Sequence, residues 1–197
     1  MEVIPMRVEL LKILGTWRDV ANAARTTIGQ EAGEGEPSSK WKRRMLLAEH
    51  SPIRKIHISW KWRNLMSWVS VHFVRHKYGI EHFVSTARPD RTGIPRGSKE
   101  DPVDHECESN PAEIIYISRK RLCKKAEVDT RIAWTTFLET LAFTEPELFL
   151  ACVPDCIYRG WCYEYGSCGD HLKPQFQIDL DKYRRNINGW EEKKWLK

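Results

Sequence analysis

Ile56-His57-Ile58-Ser59-Trp60-Lys61-Trp62-Arg63 alternates apolar and polar side chains without a break. That period of two predicts a strand with one buried face. The next residues change period. Leu65, Trp68, Val69, Phe73 and His76 fall along one helical face, with Asn64 placed to cap a helix and Gly79 placed to end it. A strand running into a helix that closes on Arg75-His76-Lys77 is the organising feature of the chain.

Working outward, Ile13 to Ala24 has helical spacing of Leu14, Trp17, Val20 and Ala21, and Arg43 to His50 predicts a short helix ending at Ser51-Pro52. Gly29 to Lys40 is a Gly-, Glu- and Ser-rich loop. Phe83 to Thr86 predicts a short extended piece, and Arg88 to Cys107 a long polar loop. Asn110-Pro111-Ala112-Glu113 is a helix start, with a capping Asn, Pro in first position and an acidic third residue. Further helices are predicted from Asp129 or Thr130 through Leu141 and from Thr144 toward Cys152. Cys152 to Gly169 reads as irregular, and a charged tail with Trp190 and Trp195 follows. Helices around a few strands, without βαβ alternation, give an α/β (α+β) domain over residues 1–170 and a tail over 171–197.

Composition narrows the class. The 197 residues suffice for one domain with its own core. The chain carries no apolar run of membrane-spanning length and no signal-peptide pattern. Six cysteines without a secretory signal point to a reducing cytoplasm. The net charge of +5 suits anionic ligands. Twenty-seven acidic residues interleaved with the basic ones argue against a nucleic-acid module built on Arg43-Arg44, Arg119-Lys120-Arg121 and Arg184-Arg185. Nine tryptophans are expected chiefly in the core. Neither Gly-x-Gly-x-x-Gly nor a Walker loop is present.

Two groups have metal-ligand chemistry. Cys152, Cys156, Cys162 and Cys168 are spaced Cys-x3-Cys-x5-Cys-x5-Cys, looser than the paired thiols of structural zinc sites, and read as free thiols. His105-Glu106-Cys107-Glu108 falls in the expected polar loop and reads as solvated. No metal is expected.

Three consecutive basic residues suit a helix C-terminus, and the Arg75 and Lys77 charges also suit phosphate. Arg75-His76-Lys77, with Ser85 and Arg88 downstream, resembles the signature Arg-His-Arg-x-x-Ser-x-Asn-Glu-x-Ser-x-Arg-Tyr of flavin-dependent thymidylate synthases (ThyX). Ser85 is in register, Arg88 is one place late, and Glu81 is one place from the family's Asn-Glu pair. The flanks resemble the family in the same order. Ala23-Ala24-Arg25 matches its Ala-Ala-Arg, His50-Ser51-Pro52-Ile53 its His-x-Pro element, and Arg121 to Arg131 its Arg-x-x-x-x-Ala-Gln-x-Glu-Ile-Arg. Departures are Arg54 for Glu, His72 for Gln, Ala112 for Arg, and the missing Asn-Glu pair.

The resemblance implies a small antiparallel sheet with flanking helices, a homotetramer with active sites between subunits, and FAD, dUMP, methylenetetrahydrofolate and NADPH as ligands. It puts Arg75, His76, Lys77 and Glu81 at the FAD. Ser85, Arg88 and Arg121 fall at the nucleotide, Arg131 at the uracil ring, and His50 near flavin or folate. The implied reaction transfers a one-carbon unit to C5 of dUMP, giving dTMP. Arg131 would stabilise charge on the ring as an oxyanion site does, and reduced flavin supplies electrons, so no protein nucleophile is needed. The altered positions leave open hydroxymethyl transfer, and ligand binding without turnover.

Overall fold

The structure is a computed structural model describing residues 5–86, 88–93, 97–98 and 101–188. It opens on strand β1 (Arg7–Leu14), helix α1 (Trp17–Thr26) and helix α2 (Ser39–Leu47). A 3₁₀ turn (Ser51–Lys55) leads into strand β2 (His57–Met66), helix α3 (Ser67–Phe73) and strand β3 (Ile80–Val84). Helix α4 (Pro89–Thr92) precedes strand β4 (Pro102–Ser109). Helices α5 (Pro111–Arg121), α6 (Val128–Ala142), α7 (Pro146–Ala151), α8 (Asp155–Arg159) and α9 (Pro174–Asn188) follow. Pro95, Trp190 and Trp195 lie outside the described residues.

The four strands form one antiparallel sheet in the order β1-β2-β4-β3. The central strand β2 is the alternating segment, and Ile58, Trp60 and Trp62 on its inner face are fully buried. The other face carries cross-strand charge pairs. Arg63 meets Glu9 at 2.9 Å and Asp104 at 2.5 Å, and Lys61 meets Glu106 at 2.6 Å.

The core is aromatic. Trp60 stacks on Phe137 with ring centres 4.1 Å apart, and Trp62 on Phe73 at 4.5 Å. Trp134 wedges between them, and its indole N–H donates to Ser118 Oγ at 2.9 Å. Full burial of such side chains contributes about 1.5–3 kcal/mol each. Trp17, Trp60, Trp62 and Trp134 are therefore core residues, as the composition suggested. A smaller cluster of Ile157, Phe176 and Leu180 seats α9 on α8, and Tyr183 packs against both clusters.

Three local expectations are corrected. The helix expected from Ile13 begins at Trp17, because pairing with β2 claims Arg7–Leu14 and Gly15 turns the chain at φ 81°. Thr16 then caps α1 in a reciprocal capping box with Asp19. Asn64 does not cap a helix. It sits at φ 56° where the β2–β4 register shifts, and the strand runs on to Met66. The expected polar loop up to Cys107 contains strand β4. Its inward residues are His105, Cys107 and Ser109, so two of the three buried positions are polar.

Helices α5, α6 and α7 follow their sequence signals, whereas α8 falls in the stretch expected to be irregular and α9 in the expected tail. Asn110 caps α5 by accepting from the backbone N–H groups of Ala112 and Glu113, and Glu127 caps α6 by accepting from Thr130 N. No helix among the described residues is long and apolar enough to cross a membrane.

Candidate functional site

Helix α3 stops at Phe73, short of Gly79, so Arg75, His76 and Lys77 occupy the turn after the helix rather than its last turn. The cause is visible. The Arg121 guanidinium, at the end of α5, takes the His72 carbonyl, one of the acceptors a helix end leaves unpaired. Its Nε donates to His76 Nε2 at 2.9 Å. His76 is half-buried, and desolvation together with the Arg121 charge pushes its pKa down to about 4. The neutral ring can therefore accept from Arg121. His72 Nδ1 meets Thr130 Oγ1 at 2.7 Å, which ties α3 to the first turn of α6. Arg131, the next residue, is half-buried, and its Nη1 reaches the Lys124 carbonyl at 3.4 Å.

Arg75 and Lys77 are exposed on this turn. Beside it lies a groove of about 450 Å³ lined by Arg54, Tyr78, Gly79, Asn110, Glu113 and Tyr116. Tyr116 meets the His76 ring edge-on at 6.4 Å. Burial raises the Glu113 carboxyl above its ordinary value, and the Arg54 charge partly offsets this. Glu113, Tyr116 and Tyr78 were not singled out from the sequence. The helix-start motif was the only signal near them, and it spoke of capping rather than of a groove.

The structure thus gathers Arg75, His76, Arg121 and Arg131 around the junction of α3, α5 and α6, linked through His72 and Thr130. It does not bring Ser85 and Arg88 there. Ser85 prolongs the β3–β4 pairing, its N–H donating to Asp104 O at 2.9 Å and its Oγ accepting from Asp104 N at 3.0 Å. Arg88 forks onto Asp90 at 3.0 and 2.5 Å. Glu81 is exposed on the edge strand opposite Glu108. His50 is exposed at the start of the 3₁₀ turn, next to Glu49, which lines the groove and pairs with Arg119.

The cysteine grouping also changes. Cys152 belongs to the main core beside Ser118 and Arg119, where desolvation pushes its thiol up to about 12. Cys123, from the connection between α5 and α6, takes its place with Cys156, Cys162 and Cys168 around a cavity of about 130 Å³.

No family model matches the chain, and no curated protein matches it. Solved structures do. Thymidylate synthase X from Helicobacter pylori, solved with FAD and dUMP, superposes with TM-score 0.61 at 13% identity, over 76% of this chain and 99% of that one. The fold is that of flavin-dependent thymidylate synthases. A second structure of the H. pylori flavin-dependent enzyme with FAD and dUMP gives TM-score 0.61 at 12% identity, over 75% and 99%. A UMP/dUMP methylase, PolB from Streptomyces cacaoi bound with 5-Br dUMP, gives 0.59 at 13%, over 75% and 94%. The small antiparallel sheet with flanking helices expected for this fold is present.

Proposed function

We propose that this chain binds FAD and dUMP and transfers a one-carbon unit from methylenetetrahydrofolate to C5 of dUMP, with NADPH as reductant. The observation that carries the reading is the Arg75-His76-Lys77 turn, held by Arg121 beside an aromatic-walled groove, in a chain with this fold. The donor set suits a flavin nucleotide. A pyrophosphate asks for cations, which Arg75 and Lys77 offer, and a flat ring asks for aromatic walls, which Tyr78 and Tyr116 offer.

When bound, the flavin supplies reducing electrons. The chain's own part is to bind and polarise. Arg75 and Lys77 hold the cofactor phosphates, with His76 and Glu81 beside them. Arg131 lies against the uracil carbonyls and stabilises negative charge as electron density reaches C5. Arg121 positions the turn. Ser85 and Arg88 stand apart from this cluster within one chain, so in this reading they serve the nucleotide site of a neighbouring copy in a homotetramer, and His50 lies at the folate side.

A second reading, binding without turnover, is favoured by one observation. Ser85 Oγ and Arg88 already have partners inside the chain. Mass spectrometry of the nucleotide separates the readings after incubation with dUMP, FAD, methylenetetrahydrofolate and NADPH. A one-carbon adduct supports the synthase, its mass distinguishing methyl from hydroxymethyl. Unchanged dUMP with folded, flavin-loaded protein rejects turnover.

A further inference from the structure

His105 and Cys107 are two residues apart on β4 and point to the same, inner face. His82, on β3, stands directly opposite Cys107 in the strand register. Three donor atoms therefore meet. His82 Nδ1 lies 2.9 Å from His105 Nε2 and 3.3 Å from Cys107 Sγ, and all three atoms lie within 4.8 Å of one another. His105 and Cys107 are fully buried, and His82 is half-buried. The rings of Trp62 and Phe73 pack around His105 at 5.5 and 6.3 Å, walling its inner side with apolar surface.

We propose that His82, His105 and Cys107 form a binding site for a divalent transition metal of the zinc class. The first argument is hydrogen-bond arithmetic. His82 Nε2 lies 3.0 Å from the His76 carbonyl and must carry the proton to donate to it. Nδ1 of the neutral ring then has a single lone pair. His105 Nε2 and the Cys107 thiol both approach that lone pair, and only one can donate to it. A cation serves all three groups at once by taking one lone pair from each.

The second argument is the outer partners. A metal-bound imidazole donates its remaining N–H to an oxygen. His82 has the His76 carbonyl in that role, and His105 Nδ1 has Ser70 Oγ at 3.0 Å. The third is distance. Zn–N of about 2.0–2.1 Å and Zn–S of about 2.3 Å in a tetrahedron put the ligand atoms about 3.3–3.6 Å apart, and His82 Nδ1 stands at 2.9 and 3.3 Å from its two partners, with all three atoms inside 4.8 Å. An N₂S set of imidazole and thiolate selects zinc-like ions over magnesium or calcium.

The proton balance is simple. With the ion bound, His82 keeps its proton on Nε2, His105 carries its single proton on Nδ1, and Cys107 becomes a thiolate. One proton leaves for each ion bound, and water takes the fourth position. The ion would clamp β3 to β4 and fix the His76 carbonyl, and hence the basic turn. The site does not depend on the proposed reaction.

The test uses the full chain. Metal content is measured by elemental mass spectrometry on protein as isolated, and cobalt(II) is titrated into chelator-treated protein. The expected result is one ion per chain and a thiolate-to-cobalt charge-transfer band. Cys107→Ser should abolish the band, and His82→Gln should weaken cobalt binding by more than about tenfold. His82 is half-buried near a sheet edge, so His82→Gln serves where Cys107→Ser fails to fold. The double variant Cys156→Ser/Cys162→Ser should keep the band. Folded wild-type protein that binds no cobalt, a band unchanged in His82→Gln, or a band lost with Cys156 and Cys162 would overturn the site.

Discussion

Arg121 Nε donates to His76 Nε2 across 2.9 Å, and the same guanidinium takes the carbonyl of His72. One side chain at the end of α5 thus fixes both the close of α3 and the ring in the turn that follows. Lysine is a poor replacement, because its single nitrogen cannot reach both acceptors as the separate Nε and Nη2 of the planar guanidinium do.

Arg121→Ala should therefore act on the turn before it acts on any ligand. Loss of the charge removes one of the two main causes that hold His76 low, so its pKa should rise from about 4 toward the ordinary value. Histidine proton shifts followed by NMR across pH check this. FAD affinity should fall by about tenfold or more, since about 1.4 kcal/mol of lost positioning gives that factor. Arg121→Lys should restore little of it. An unmoved His76 titration would show that the contact is not made in solution.

Arg75→Ala separates binding from folding. Arg75 is exposed, and truncation at such a surface position should change stability by no more than about 0.5 kcal/mol. Its charge should matter for a pyrophosphate. Flavin fluorescence titration should show about tenfold weaker FAD binding at unchanged melting temperature, with the loss shrinking at high salt. Full flavin retention at low added FAD would remove Arg75 from the cofactor site.

Arg131→Ala tests the other end of the same cluster. Arg131 stands beside Thr130, which holds His72, yet its own contact to Lys124 O is long at 3.4 Å and contributes little to folding. The variant should keep its flavin spectrum and lose dUMP turnover by about 10²–10³-fold, as loss of an oxyanion donor does. Loss of flavin together with turnover would assign Arg131 to the cofactor.

These sites differ in how far the sequence revealed them. Strand β2 was legible because Ile58, Trp60 and Trp62 alternate with polar residues. The start of α5 was legible because Asn110 sits where capping chemistry puts it, whereas α6 starts at Val128, just before the expected Asp129 or Thr130, on a cap from Glu127. Strand β4 was hidden because two of its buried residues, His105 and Ser109, are polar and flank a single apolar Cys107. The end of α3 was hidden for a different reason. Gly79 is a sound local stop, but the helix closes earlier on a contact from Arg121, nearly fifty residues away. For the same reason the sequence could list Arg75, His76, Arg121 and Arg131 but not the groove at Glu113 and Tyr116. A groove is a relation between elements, and no local spacing encodes it.

Glu145 gives a prediction about pH. Its carboxylate is buried beside α1, where Trp17 Nε1 donates to Oε2 at 2.8 Å. Burial raises its pKa above 4.5, and the Trp17 hydrogen bond and the Lys42 charge only partly offset this. A carboxyl with a raised folded pKa binds its proton more tightly when folded than when unfolded. Its contribution to stability is therefore greatest below pH 4.5 and is lost as pH rises through the folded pKa. Above that window the protein carries a buried charge with one strong donor. Glu145→Gln keeps an oxygen for Trp17 and removes the charge. The variant should be more stable than wild type at pH 8, by an amount on the order of 1 kcal/mol, and the gain should vanish below about pH 4.5. Denaturant unfolding at both pH values measures this. A variant less stable at pH 8 would mean that the Lys42 attraction outweighs the desolvation of the carboxylate.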